Sequence, residues 1–266
     1  MFRVFQEHPD VGVCHVDQSV KNSEPNFWNL AAQAIAGEPT PFIERFSETH
    51  PFLTIPSVFT RESVFQLWDQ ILNTLGPVVF DKSPQYLGNN DAIQLLIDYR
   101  AAGNDVRIFG VIRDPRDSIT SQYELWKNHA DNLTPSSAEE HWLSKYKHLE
   151  QIAGSEPPIP IFRYEDIAQV PRCYIPMIFS HCSVAHVAEA YAHIKPVSIG
   201  RYSASLSPAI RRWRFTPLFE QHLRDYGYPV PQSNAIHRAG LTVRMFKENV
   251  WRLHESQQAA RQKKKN

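Results

Sequence analysis

Two strand-to-turn junctions hold the residue types most able to do chemistry. In Val111-Ile-Arg-Asp-Pro-Arg-Asp-Ser-Ile-Thr-Ser-Gln-Tyr123 an apolar run ends in Arg113. Asp114 is placed to cap a helix, and Pro115 falls at the first helical position, where its missing N–H costs nothing. Arg113 is therefore expected at the C-terminal edge of a sheet beside a helix N-terminus, where open α/β sheets take ligands and anions are favoured. Ser118 and Ser121 share one face of that helix. A guanidinium fork with a serine hydroxyl makes a phosphate clamp. The same spacing equally allows Arg113 merely to pair with Asp114 or Asp117. In Phe80-Asp-Lys-Ser-Pro-Gln-Tyr-Leu87, Lys82 leaves a strand at the same sheet edge. It can stabilise charge on a departing phosphate, and the plainer alternative is a solvent-facing lysine before a turn.

The elements around these junctions alternate between strand and helix. Residues 11–16 read as a strand entered from a His-Pro-Asp turn. Residues 61–75 carry a helical apolar stripe that Gly76-Pro77 ends, and Val78 to Phe80 is a short buried strand. Helical periodicity resumes through Ala92, Leu95, Leu96 and Tyr99 and stops at Gly103. Val106 to Ile112 is the clearest strand, almost unbroken in apolar residues as a strand covered on both faces requires. Further helices are expected from Asp114-Pro115 to about Lys127, over 137–152, 209–225 and 240–260, with a strand over 159–163. Prolines keep the later segments short. The fold class is α/β, a mostly parallel sheet flanked by helices in a single domain over 1–266, with a basic tail at about 256–266.

Bulk properties exclude several classes. The 266 residues are 42% hydrophobic and 21% charged, as in an ordinary globular protein. Lys plus Arg and Asp plus Glu both total 28, so no global field points to nucleic acid or an anionic membrane. Arg261, Lys263, Lys264 and Lys265 read as a solvated end. Three cysteines, Cys14, Cys173 and Cys182, show no paired spacing, which fits a reducing compartment. No apolar run approaches the ~20 residues of a membrane span, and Met1–Asp10 is no signal peptide. A cytoplasmic protein is the expectation. His181, His186 and His193 lie near Cys182 without acidic or Cys partners at a metal-binding spacing, so no metal is expected.

In this order, Asp81-Lys-Ser-Pro-x-Tyr-Leu87 and Val111-Ile-Arg-Asp-Pro-Arg-Asp-x-x-x-Ser-x-Tyr123 resemble the sulfotransferases that use 3′-phosphoadenosine 5′-phosphosulfate. His8-Pro-Asp-Val11 with Ser23-Glu-Pro-Asn-Phe-Trp28 is similar to that family's "HPDV … KEPNFF" region. Phe162-Arg-Tyr-Glu-Asp-Ile167 resembles its "RYEDL" junction, and Ser198-Ile-Gly-Arg-Tyr202 its C-terminal "GRW" segment. The similarity runs over roughly residues 8 to 228. It implies a P-loop-like sulfotransferase fold and transfer of a sulfuryl group to a hydroxyl or amine acceptor, a glycan or small molecule, without a metal. By the same resemblance Arg113 and Ser121 bind the nucleotide 3′-phosphate, and Gly200 and Arg201 close over it. Lys82 and Glu24 are catalytic, Glu24 as the general base on the acceptor. A helix-start carboxylate is the alternative for Glu24.

One family feature is missing. A strand and "PRSGTT"-type loop, whose amides hold the 5′-phosphosulfate, belongs ahead of His8 in that family, where Met1 is expected to fall inside the following helix. No Gly-rich stretch with Lys or Arg replaces it, which also argues against a P-loop kinase. The expectation is an N-terminally truncated sulfotransferase sequence, the alternative a non-catalytic relative that binds a glycan or protein. The acceptor is expected at loops 37–60 and 128–140, with Trp28, Phe42, Phe46, Phe52 and Phe59 as rings for stacking.

Overall fold

The computed structural model describes residues 2–14, 26–39, 50–128, 133–154, 158–192, 194, 196 and 198–230. Its residues fall into two compact units, one drawn from Met1–Ile112 and Ser144–Pro196, the other from Arg113–Leu143 and Val197–Asn266. The expected helix over 240–260, the basic tail, Glu24, Phe42 and Phe46 lie outside the described residues.

The first unit holds α1 (Phe2–Gln6), β1 (Val11–Val13), α2 (Phe27–Ile35), α3 (Arg61–Leu75), β2 (Val78–Phe80), α4 (Asn90–Ala101) and β3 (Gly110–Ile112). Later in the chain it adds β4 (Ile161–Arg163), α7 (Tyr164–Gln169) and α8 (Pro171–His181). Helix α3 has the expected bounds because its ends are chemically marked. Thr60 caps it, with Ser63 N donating to Thr60 Oγ1 at 3.2 Å and Thr60 N to Ser63 Oγ at 2.9 Å. Asn89 caps α4 in one direction only, its side-chain oxygen accepting from the backbone N–H groups of Asp91 and Ala92. Phe27, Trp28, Val64, Leu67, Trp68, Ile71, Leu95 and Tyr99 form one core cluster from α2, α3 and α4.

All strand pairing among the described residues is parallel. β1 pairs with β2 in the register Val11↔Val78, and β3 with β4 in the register Gly110↔Ile161. The expected single sheet is thus seen as two strand pairs. The Phe5 ring of α1 stacks on Phe80 at 4.2 Å and lies 6.0 Å from Phe109, so an aromatic cluster joins the pairs. Strand β2 has the expected bounds, whereas β3 and β4 are shorter than the apolar runs suggest: pairing starts at Gly110 rather than Val106, and at Ile161 rather than Ile159. Apolar length reports burial, and Phe109 and Ile159 contribute that without ladder hydrogen bonds. Gly12 is required by space, because a Cβ there would meet the Leu75 carbonyl oxygen of α3 at 2.1 Å. Helix α8 runs through Pro176 against the expectation of short proline-bounded segments. Burial of Ile175, Ile178 and Phe179 offsets the hydrogen bond that the proline removes.

The second unit holds α5 (Pro115–Trp126), the first part of α6 (Pro135–Ala153), α9 (Arg201–Ala204), α10 (Pro208–Arg212) and α11 (Pro217–Asp225). The expected single helix over 209–225 is two. Thr216 caps α11 ahead of Pro217, and the intervening Trp213 and Thr216 are drawn to the buried Glu139 carboxylate of α6. Trp213 Nε1 donates to it at 2.7 Å and Thr216 N at 3.0 Å. Trp142, Trp213 and Phe219 pack around that point.

Candidate functional site

The junction after β3 folds as its residue types require. Asp114 caps α5 by accepting from Arg116 N at 2.9 Å, with Pro115 as the first helical residue. The Asp114 carboxylate is engaged on both oxygens by the Arg116 guanidinium, whose Nη1 also donates to Pro229 O at 2.7 Å. The Arg113 guanidinium donates to the Ser198 carbonyl and lies 3.8 Å from Asp117. Of the two readings open for Arg113, the ion pair with Asp117 is present but long, and the group also reaches a second chain segment.

That segment brings the other expected nucleotide-binding residues. Gly200 sits at φ 83°, ψ 16°, in the left-handed region that favours glycine, and opens the single turn of α9. Arg201 Nη1 donates to Ser121 Oγ at 3.0 Å. Arg113, Ser121, Gly200 and Arg201 thus belong to one unit, and contacts link the first two to the 198–201 turn. The residue at the centre of this arrangement is Asp117, which the sequence offered only as a pairing partner for Arg113. Asp117 accepts from Gly200 N at 2.6 Å and from Tyr202 N at 2.7 Å. Glu124 accepts from Ser205 Oγ at 2.6 Å. Asp117, Ser121 and Glu124 are spaced i, i+4, i+7, one face of a helix, and that polar stripe was the available signal. Burial, and next to it Asp114, raise the Asp117 carboxyl above the ordinary aspartate value; the two backbone donors and Arg113 act the other way.

Lys82 and Glu24 are a separate matter. Lys82 is half-buried in the turn after β2, in the first unit. Its neighbours hold that turn: Tyr86 Oη donates to Asp81 at 2.9 Å, and Ser83 Oγ lies 3.5 Å from Asn26 Oδ1. Asn26, itself at φ 53°, accepts from Asn29 Nδ2 at 2.6 Å and begins α2. Burial raises the Tyr86 phenol and the Cys14 thiol, and in both the Asp81 charge adds to the effect. Glu24 lies two residues before Asn26, outside the described residues.

Other groups singled out in the sequence have hydrogen-bond partners within the fold. His181 Nε2 is 2.9 Å from Ile108 O, and His186 Nε2 is 3.0 Å from the Tyr191 hydroxyl; His193 is outside the described residues. His8 accepts at Nδ1 from Asp10 N, which leaves Nε2 as the donor to Ala185 O at 2.8 Å. The His-Pro-Asp turn is therefore a folding element. Among the described residues no group of three or more His, Cys, Asp or Glu is gathered to hold a metal, and no helix is long and apolar enough to cross a membrane.

No protein-family profile matches the chain, and no curated protein does. Among solved structures it is similar to a sulfotransferase domain from the curacin biosynthetic pathway, at 14% identity. The match covers 86% of this chain and 93% of that one, with a TM-score of 0.58. At that identity the likeness is one of architecture, and it agrees with the parallel strand pairs and their flanking helices: the chain has a sulfotransferase-like fold.

Proposed function

We propose that the chain binds 3′-phosphoadenosine 5′-phosphosulfate and serves sulfuryl transfer to a hydroxyl or amine acceptor, its two units acting as one sulfotransferase domain. The observation that carries this reading is the convergence of Arg113, Ser121, Gly200 and Arg201, far apart in the chain, on one turn packed against α5. Two guanidinium groups, a serine hydroxyl and a glycine that lets backbone approach closely suit a phosphate monoester. In the transfer itself the acceptor oxygen or nitrogen attacks sulfur as the bond from sulfur to the 5′-phosphate oxygen breaks. Lys82 offsets the charge growing on the departing phosphate, and Glu24 takes the acceptor proton. Positioning and electrostatics supply the catalysis, as in phosphoryl transfer.

The test is calorimetric titration with 3′-phosphoadenosine 5′-phosphate. Binding is expected in the wild-type chain, with Arg113→Ala and Ser121→Ala each weakening it, the arginine by about tenfold or more as for a charged hydrogen bond. Absence of binding, or unchanged affinity in both variants, ends the proposal. Binding without turnover of the phosphosulfate identifies the second reading, a relative that holds nucleotide but transfers nothing.

A further inference from the structure

We infer that Asp117 is the positioning residue of the anion clamp: its carboxylate fixes the Gly200–Tyr202 turn on α5, and the turn in turn sets where Arg201 and Arg113 stand. The inference rests on the proposed reading of those arginines as 3′-phosphate ligands, and adds a residue that this reading does not require.

Several observations carry it. Asp117 is 3% exposed, and each of its oxygens takes a different backbone donor, from Gly200 at 2.6 Å and from Tyr202 at 2.7 Å. Those donors come from positions 83 and 85 residues away in the sequence, so the contact is tertiary. Helix α9 has only four residues and no capping side-chain hydrogen bond. A helix that short has no stability of its own, and its place must come from outside. The residue between the two bound amides is Arg201, which meets Ser121 one turn along α5. The residue two before Gly200 is Ser198, whose carbonyl receives Arg113. One carboxylate therefore registers both guanidinium groups. Tyr202 is held a second time, with the Arg116 guanidinium 5.8 Å above its ring.

Asparagine is the discriminating replacement. It keeps the shape but offers one acceptor oxygen and one NH2, so one of the two amides faces a donor. The turn loosens and the arginines lose their register. Asp117→Asn is expected to weaken 3′-phosphoadenosine 5′-phosphate about tenfold, the size of one lost charge-assisted hydrogen bond. It should leave adenosine 5′-phosphate, which lacks the 3′ group, bound as in the wild type. A general loss of folding weakens both ligands alike. Combined with Arg201→Ala the loss is expected to be less than additive, since Asp117 acts partly through that residue. Amide hydrogen exchange gives a second readout, with Gly200 and Tyr202 exchanging faster in the variant while α3 is unchanged.

If Asp117→Asn does not fold, Asp117→Ser removes the carboxylate without setting an NH2 against the amides, and the same selective loss is expected. Wild-type binding with either folded variant unaffected, or losing both nucleotides equally, overturns this inference and leaves the proposed function standing. A wild-type chain that ignores 3′-phosphoadenosine 5′-phosphate overturns the proposed function and this inference together.

Discussion

Arg113 shows how far a side chain's chemistry can be taken before its partners are known. The residue types around it specify a helix cap and a cation at a strand end, and both are present. Which carboxylate answers the cation is a matter of reach. The Arg116 fork meets both oxygens of Asp114, while Arg113 donates to the Ser198 carbonyl and lies 3.8 Å from Asp117. The cysteines give a prediction at the same scale. Cys173 is exposed, Cys14 is buried, and burial pushes the Cys182 thiol up to about 11. The thiolate is the nucleophile, and at pH 8 a thiol of that acidity is ionised to about one part in a thousand. Iodoacetamide at pH 8 should therefore label Cys173 first in the native chain, with Cys182 accelerating as pH rises toward 11. Equal labelling of all three thiols at pH 8, read by peptide mass spectrometry, would contradict the burial described. Gly12 is the residue with least freedom. With the Leu75 carbonyl at 2.1 Å from a built Cβ, Gly12→Ala must shift backbone, and the cost is expected to exceed the ~1–3 kcal/mol of ordinary overpacking in a denaturant titration.

Among the elements, those with chemically marked ends were the ones readable in advance. Helix α3 begins at a reciprocal Thr60–Ser63 cap and stops at Gly76, and α5 begins at Asp114-Pro115. Thr60→Ala is expected to lower stability by about 1 kcal/mol, measured as the urea midpoint at unchanged m-value. Among the strands β2 was readable with its bounds, because Gly76-Pro77 ends the helix before it, whereas β3 and β4 were overextended because each pairs over only three residues, too short for alternation to show. Helix α8 was hidden by its internal proline, and the break between α10 and α11 by an apolar pattern that continues across it. The break is decided by Glu139, a buried carboxylate more than 70 residues upstream of the Trp213 and Thr216 donors it satisfies. On α5 the stripe Asp117, Ser121, Glu124 was legible as a pattern, though nothing local said what it would face.

At the scale of the molecule the short elements depend on their packing. Helix α1 has five residues and cannot persist alone; Phe5, 2% exposed, anchors it among Phe80, Phe109 and Phe179. Phe5→Ala removes the ring that joins the two strand pairs, and a loss of about 3–5 kcal/mol is expected in the unfolding free energy. A change under 1 kcal/mol would show that the strand pairs hold without it. The α/β class, the bounds of α3 and α5, and the chemistry on offer at Arg113, Ser121 and Lys82 can all be read along the chain, because caps, turns and periodicity act between near neighbours. Long-range packing sets what the chain does not spell out: the turn at Gly200 is laid against α5, Arg201 meets Ser121, and Asp117 fastens the turn to the helix. Those bonds join segments about 80 residues apart, and a backbone amide that waits for a distant carboxylate leaves no periodic trace in the chain.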